Sequence, residues 1–121
     1  AGEQEAYQYV DFLPTYSTED LAGELTKAMD ELKDCEGIII FTDLMGGTPF
    51  NTAAQLGRDK ENVRILAGTN LPMLVEVVMS RKFMDDLDGL VDSLLQTGKE
   101  QVAKFEIKKA EQTEPEDEDG I

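Results

Sequence analysis

The chain has 121 residues, no histidine, 26 acidic against 11 basic side chains, and a formal net charge of −15. Its length specifies one domain with a single core, and its charge disfavours nucleic acid and anionic membrane surfaces while favouring partners with a basic patch. One cysteine permits no intramolecular disulfide; with no apolar run of spanning length and no signal-peptide pattern, a reducing, cytoplasmic setting is expected.

Residues 8–13 read as a short strand that Pro14 ends. Ser17 then starts a helix, with Asp20 three positions on as in a capping box. Leu21, Leu25, Ala28, Met29 and Leu32 form its apolar face, and Glu24, Lys27, Asp30, Glu31 and Lys33 face water. Acidic neighbours Asp34 and Glu36 argue against a reactive Cys35 thiol.

Ile38-Ile39-Ile40-Phe41 has no polar alternation, which predicts a strand buried on both faces. It is followed by Asp43, by the pair Gly46-Gly47, and by Thr48 as the expected N-cap, with Pro49 at the first helical position. In an open parallel sheet such a turn sits at the carboxyl ends of the strands, where ligands bind. The helix start offers N–H groups and a positive dipole end to an anion such as phosphate. An acid beside such a site makes sense if Asp43 orients a basic or titrating group. A glycine pair is also plain turn geometry, and an acid there also caps a helix; the spacing leaves both readings open.

The helix from Pro49 to about Leu56 carries Phe50, Ala53 and Ala54, with Gly57 as a C-cap. After a polar link, residues 63–67 form a second buried strand, and Gly68 precedes Asn70 as a helix cap with Pro72 in the first turn. Two such turns on parallel strands lie at one edge of the sheet, so Thr69 and Asn70 join Asp43 and Thr48 as site candidates; capping alone explains Asn70 equally well. Leu71, Leu74, Val75, Val77, Val78 and Met79 make the next helix apolar over a wide arc, as in a buried helix or a subunit contact. A helix over 85–96 follows, ended by Gly98, and then Ala103, Phe105 and Ile107 alternate with charged residues as in an edge strand. Residues 110–121 are an acidic, disordered tail. The order β-α-β-α-β-α-α-β predicts a three-layer α/β fold with a mostly parallel sheet and an antiparallel edge strand. A doubly wound sheet has its first strand in the middle, so the first central strand is expected to be missing ahead of residue 8.

Phe41-Thr42-Asp43-Leu44-Met45-Gly46-Gly47-Thr48-Pro49-Phe50-Asn51, taken with Gly68-Thr69-Asn70-Leu71-Pro72-Met73-Leu74-Val75-Glu76, resembles the enzyme IIA component of the mannose-type sugar phosphotransferase system. Gly2-Glu3-Gln4-Glu5, Val10-Asp11-Phe12-Leu13-Pro14 and Thr97-Gly98-Lys99-Glu100 agree, so the likeness covers residues 1–109 as one domain. The resemblance implies a bacterial phosphoryl carrier that takes phosphate from the histidine-containing phosphocarrier protein (HPr) onto a histidine. It then passes the phosphate to a IIB domain for sugar uptake through membrane IIC and IID components, with no direct membrane insertion, no cofactor and no metal. Asp43 matches the aspartate that orients the active histidine, and Thr48, with Gly46 and Gly47, matches the phosphate-holding turn. Leu44 and Met45 fall where partner proteins dock, with Thr69 and Asn70 beside them. The family forms homodimers whose last strand, here 101–108, crosses to the partner's sheet. The departure is the histidine itself, which belongs to the absent first strand and helix of about 20–25 residues. A chain truly lacking it is inactive in transfer, a IIA-like interaction module. A receiver-like domain phosphorylated on Asp43 lacks its magnesium-holding acids, and Lys60 is poorly placed to serve it.

Overall fold

The computed structural model describes residues 5–107; the acidic tail and the last residue of the expected terminal strand lie outside that range. Six elements follow in chain order: α1 (Thr18–Glu31), β1 (Ile38–Phe41), α2 (Thr48–Gly57), β2 (Val63–Leu66), α3 (Leu71–Ser80) and α4 (Leu87–Gln101). β1 and β2 pair in parallel with Ile38 opposite Val63 and Phe41 opposite Leu66.

This register sorts the strand side chains by face, because successive residues point to opposite sides. Ile38, Ile40, Val63 and Ile65 pack with Leu25, Met29 and Leu32 of α1 and Leu56 of α2. Ile39, Phe41 and Leu66 pack on the other face with Met73 and Val77 of α3 and Leu90 and Leu94 of α4. Helices therefore cover both faces, as the three-layer expectation requires. Leu94 is fully enclosed, and burying such a side chain contributes about 1.5–3 kcal/mol.

α1 begins as its sequence predicts. The Ser17 hydroxyl accepts the Asp20 N–H at 3.0 Å, and the Asp20 carboxylate accepts the Ser17 N–H at 2.9 Å. Four other expectations are corrected. Residues 8–13 form no strand: they run as irregular chain with Tyr9 82% exposed, because among the described residues β1 pairs only with β2 and offers this segment no ladder. The segment is held from elsewhere, since the Arg81 guanidinium at the end of α3 donates to the carbonyls of Glu5 and Ala6. Residues 102–107 likewise form no edge strand; Phe105 is 84% exposed and no neighbouring strand pairs with them among the described residues. Gly57 lies inside α2 rather than capping it, its missing side chain leaving room for Val63, whose Cγ1 would sit 3.0 Å from a Cβ there. Gly98 does not end α4, which runs on to Gln101; the glycine is needed because the Met73 sulfur occupies the place of a Cβ.

On the side of β1 away from β2 lies a groove of about 400 Å³. Its lining includes Val10, Phe12, Leu21, Leu25, Ile39 and Phe41, and no residue of β2. β1 thus presents an unpaired edge to an apolar space.

Candidate functional site

The ladder between the strands continues past their ends and gathers the two tip loops. The Thr42 N–H donates to the Leu66 carbonyl, the Gly68 N–H to the Asp43 carbonyl, and the Thr69 N–H to the Thr42 carbonyl. The Thr42 hydroxyl, buried, also donates to Leu66. Asp43 and Gly68-Thr69-Asn70 are therefore adjacent at one edge of the sheet, as expected for consecutive parallel strands.

Asp43 is exposed, and its Oδ1 accepts the Leu44 N–H at 2.7 Å. One carboxylate oxygen is thus spent on orienting the side chain. The turn that follows is closed by the Gly47 N–H, which donates to the Leu44 carbonyl at 3.0 Å. Gly46 has φ +84°, a left-handed conformation that favours glycine, and a Cβ on Gly47 would lie 3.2 Å from the Leu44 carbonyl oxygen. Both glycines are dictated by this geometry.

The helix start falls one residue earlier than its sequence suggests. Gly47, extended at φ −73° and ψ 169°, is the N-cap; Thr48 is the first helical residue and Pro49 the second. Threonine suits either place, and the tight glycine turn decides between them. The shift has a chemical consequence, because no side chain caps α2. The Thr48 hydroxyl is not spent on capping, and the N–H groups of Thr48 and Phe50 have no partner within the helix. Hydroxyl, two N–H groups and the helix dipole together suit an anion. Leu44 and Met45 are 67% and 75% exposed at the tip of the same turn, an apolar pair with nothing packed over it.

At the second loop, Asn70 is the N-cap of α3 without a side-chain capping bond. Its Nδ2 donates instead to the Gly98 carbonyl at 3.0 Å, tying the loop to α4. The Thr69 hydroxyl and the Asn70 Oδ1 are buried without hydrogen-bond partners. These side chains turn inward while their backbone borders Asp43. The site also includes a residue that sequence reasoning passed over. Asn51 donates from Nδ2 to the Gly46 carbonyl at 3.0 Å, and its N–H donates to the Gly47 carbonyl at 2.9 Å. An amide one turn into a helix that follows two glycines was the available signal. Among the described residues, no group of His, Cys, Asp and Glu is placed to hold a metal ion.

Comparison with known proteins shows the family of the chain. The family model for the PTS system fructose IIA component, EIIA-man, matches residues 1–95. The mannose-specific EIIAB component of Escherichia coli is 36% identical over 114 residues, 94% of this chain and 35% of that protein. The chain thus spans about a third of that relative's length. The sorbose-specific EIIA component of Lacticaseibacillus casei is 33% identical over 99 residues, 82% of this chain and 70% of that one. Among solved structures, the phosphotransferase system component EIIA from Streptococcus agalactiae superposes with TM-score 0.78 at 34% identity, covering 87% of this chain and 80% of its own. The mannose/sorbose-specific IIA subunit from Enterococcus faecalis gives TM-score 0.72 at 25% identity, covering 79% and 70%. With the family model matching most of its length and relatives at 33–36% identity, the chain belongs to the EIIA-man family of phosphotransferase system IIA components.

Proposed function

We propose that this chain is the phosphoryl-carrying IIA domain of a bacterial sugar phosphotransferase system, receiving phosphate from HPr and passing it to a IIB domain. The observation that carries the reading is that Asp43, at the tip of β1, leads through a tight glycine turn into α2, whose N-terminus no side chain caps. A carboxylate there holds an imidazole in one tautomer, and Thr48 with the N–H groups of α2 receives the phosphoryl group. The chain has no histidine, so the imidazole comes from a strand-and-helix segment outside these residues. The open edge of β1 and its 400 Å³ apolar groove suit that segment. HPr and IIB dock on Leu44 and Met45, beside Thr69 and Asn70, and two copies pair through the exposed Leu71, Val75 and Met79 of α3, with residues 101–108 crossing between them. No helix among the described residues is long and apolar enough to cross a membrane; contact with IIC and IID runs through the other components, on the cytoplasmic side.

The test is to incubate the intact natural protein with phosphoenolpyruvate, enzyme I and HPr. An acid-labile phosphate on a histidine is the expected result. Absence of labelling would leave the second reading, a IIA-like dimer that binds partners without transfer, which the lack of histidine in these residues favours.

A further inference from the structure

The Gly46 side of the Gly46–Gly47 peptide is open: a Cβ at Gly46 would meet nothing within 4 Å, whereas one at Gly47 would meet Leu44. Two successive glycines also leave the backbone its greatest freedom. The peptide is nevertheless held at both ends. Its N–H donates to the Leu44 carbonyl at 3.0 Å, and its carbonyl accepts from Asn51 Nδ2 at 3.0 Å. The Asn51 N–H also donates to the Gly47 carbonyl, the first main-chain bond of α2, which alanine at this position would keep. The asparagine is exposed, and its side-chain bond is the one to the Gly46 carbonyl.

We propose that Asn51 is a positioning residue that locks the Gly46–Gly47 peptide and thereby keeps the start of α2 open to an anion. The inference rests on reading this turn as the phosphoryl-holding site. If the peptide rotated, Gly47 would lose its bond to Leu44, and the Gly46 carbonyl would leave the Asn51 amide. A carbonyl dipole turned toward Thr48 sets partial negative charge against an incoming phosphate. The amide of Asn51 prevents this by giving that carbonyl a fixed donor on the helix side.

The test compares the intact protein with Asn51→Ala and, as a control one turn further along α2, with Gln55→Ala. Alanine is the better helix former, so loss of a merely helical role predicts no loosening. The lock predicts that hydrogen exchange of the Gly47 amide speeds up about fivefold in Asn51→Ala, the factor for one neutral hydrogen bond. Gln55→Ala should leave it unchanged. Titration with inorganic phosphate, followed at the Thr48 and Phe50 amides by NMR, should need several-fold more phosphate in Asn51→Ala. In phosphoryl transfer the variant should lose kcat while KM for the donor stays put. Unchanged Gly47 exchange in Asn51→Ala would overturn the lock. If phosphate moves neither amide even in the wild type, the anion reading of the site falls, and Gly47 exchange still decides the lock by itself.

Discussion

Thr42 is joined twice to Leu66: its backbone N–H and its hydroxyl both donate to the same carbonyl, each at 2.8 Å. The hydroxyl is buried and lies where the two strands hand over to the two loops of the site. Thr42→Val keeps the shape and the main-chain bond but removes the second donor. The expected loss of stability is about 0.5–1.5 kcal/mol by urea unfolding. No change in the unfolding midpoint would show that the second bond is not felt.

Asp43→Asn in the complete protein should slow phosphoryl transfer about 10- to 100-fold with the fold kept, because the imidazole partner loses an anionic anchor. Thr48→Val should cost about tenfold, the lower end of what one hydrogen bond to an anion contributes, because the N–H groups of α2 stay in place. Circular dichroism checks the fold, and the rate of label transfer from HPr checks the function. Wild-type rates in Asp43→Asn would remove that residue from the site.

Two glycines inside helices should respond with opposite signs. Gly23 in α1 is exposed and a Cβ there meets nothing, so Gly23→Ala should stabilise by about 0.5–1 kcal/mol. Gly98 in α4 faces the buried Met73, whose sulfur would lie 2.5 Å from the new carbon. Overpacking costs about 1–3 kcal/mol, which outweighs the helix-propensity gain of roughly 1. Thermal unfolding of both variants measures the contrast.

Asp88, in the first turn of α4, accepts the Arg64 Nε–H at 2.6 Å, and a second bond comes from Nη2 at 3.2 Å. The hydrogen bond from Arg64 holds the Asp88 carboxyl below its ordinary range. A carboxyl whose pKa is lower folded than unfolded stabilises the fold above the unfolded value, and that contribution disappears as the pH falls through the folded one. Arg64 stays protonated throughout. The stability gap between wild type and Asp88→Asn should therefore be level at neutral pH and close only in acid. A gap that widens in acid would contradict the assignment.

The helices and the two strands with both faces covered were legible because their signals are local. Ser17 with Asp20 marks the start of α1, and the unbroken apolar run 38–41 marks a strand between two helical layers. The misread strands, 8–13 and 103–107, have suitable alternation, but a strand exists only if another offers it a ladder, and that partner is not encoded in the segment itself. The strand-tip turn carrying the candidate residues was legible as a run of residues rather than as a geometry. Asp43 and Thr48 stand where the motif places them, but whether threonine caps a helix or begins it depends on the turn before it. Gly98 reads as a helix stop in isolation; its reason lies in Met73, 25 positions earlier. Asn51 was hidden because its role is toward a backbone carbonyl, which leaves no pattern of residue types.

The parallel register has an implication for how this chain can change in length. Ile38 to Phe41 stand opposite Val63 to Leu66 without a bulge, and both site loops hang from that alignment. A one-residue insertion within either strand would move one loop by about 3.3 Å and turn the side chains beyond it to the other face. Residues 59 and 60 of the polar link are exposed and lie outside that alignment, whereas the Asn62 carbonyl accepts the Ile38 N–H at 2.8 Å and the Glu61 carbonyl accepts from Arg64 at 2.7 Å. Insertions that leave the site intact are thus better placed in exposed links such as residues 59–60 than within the strands, because a longer loop there costs little closure entropy.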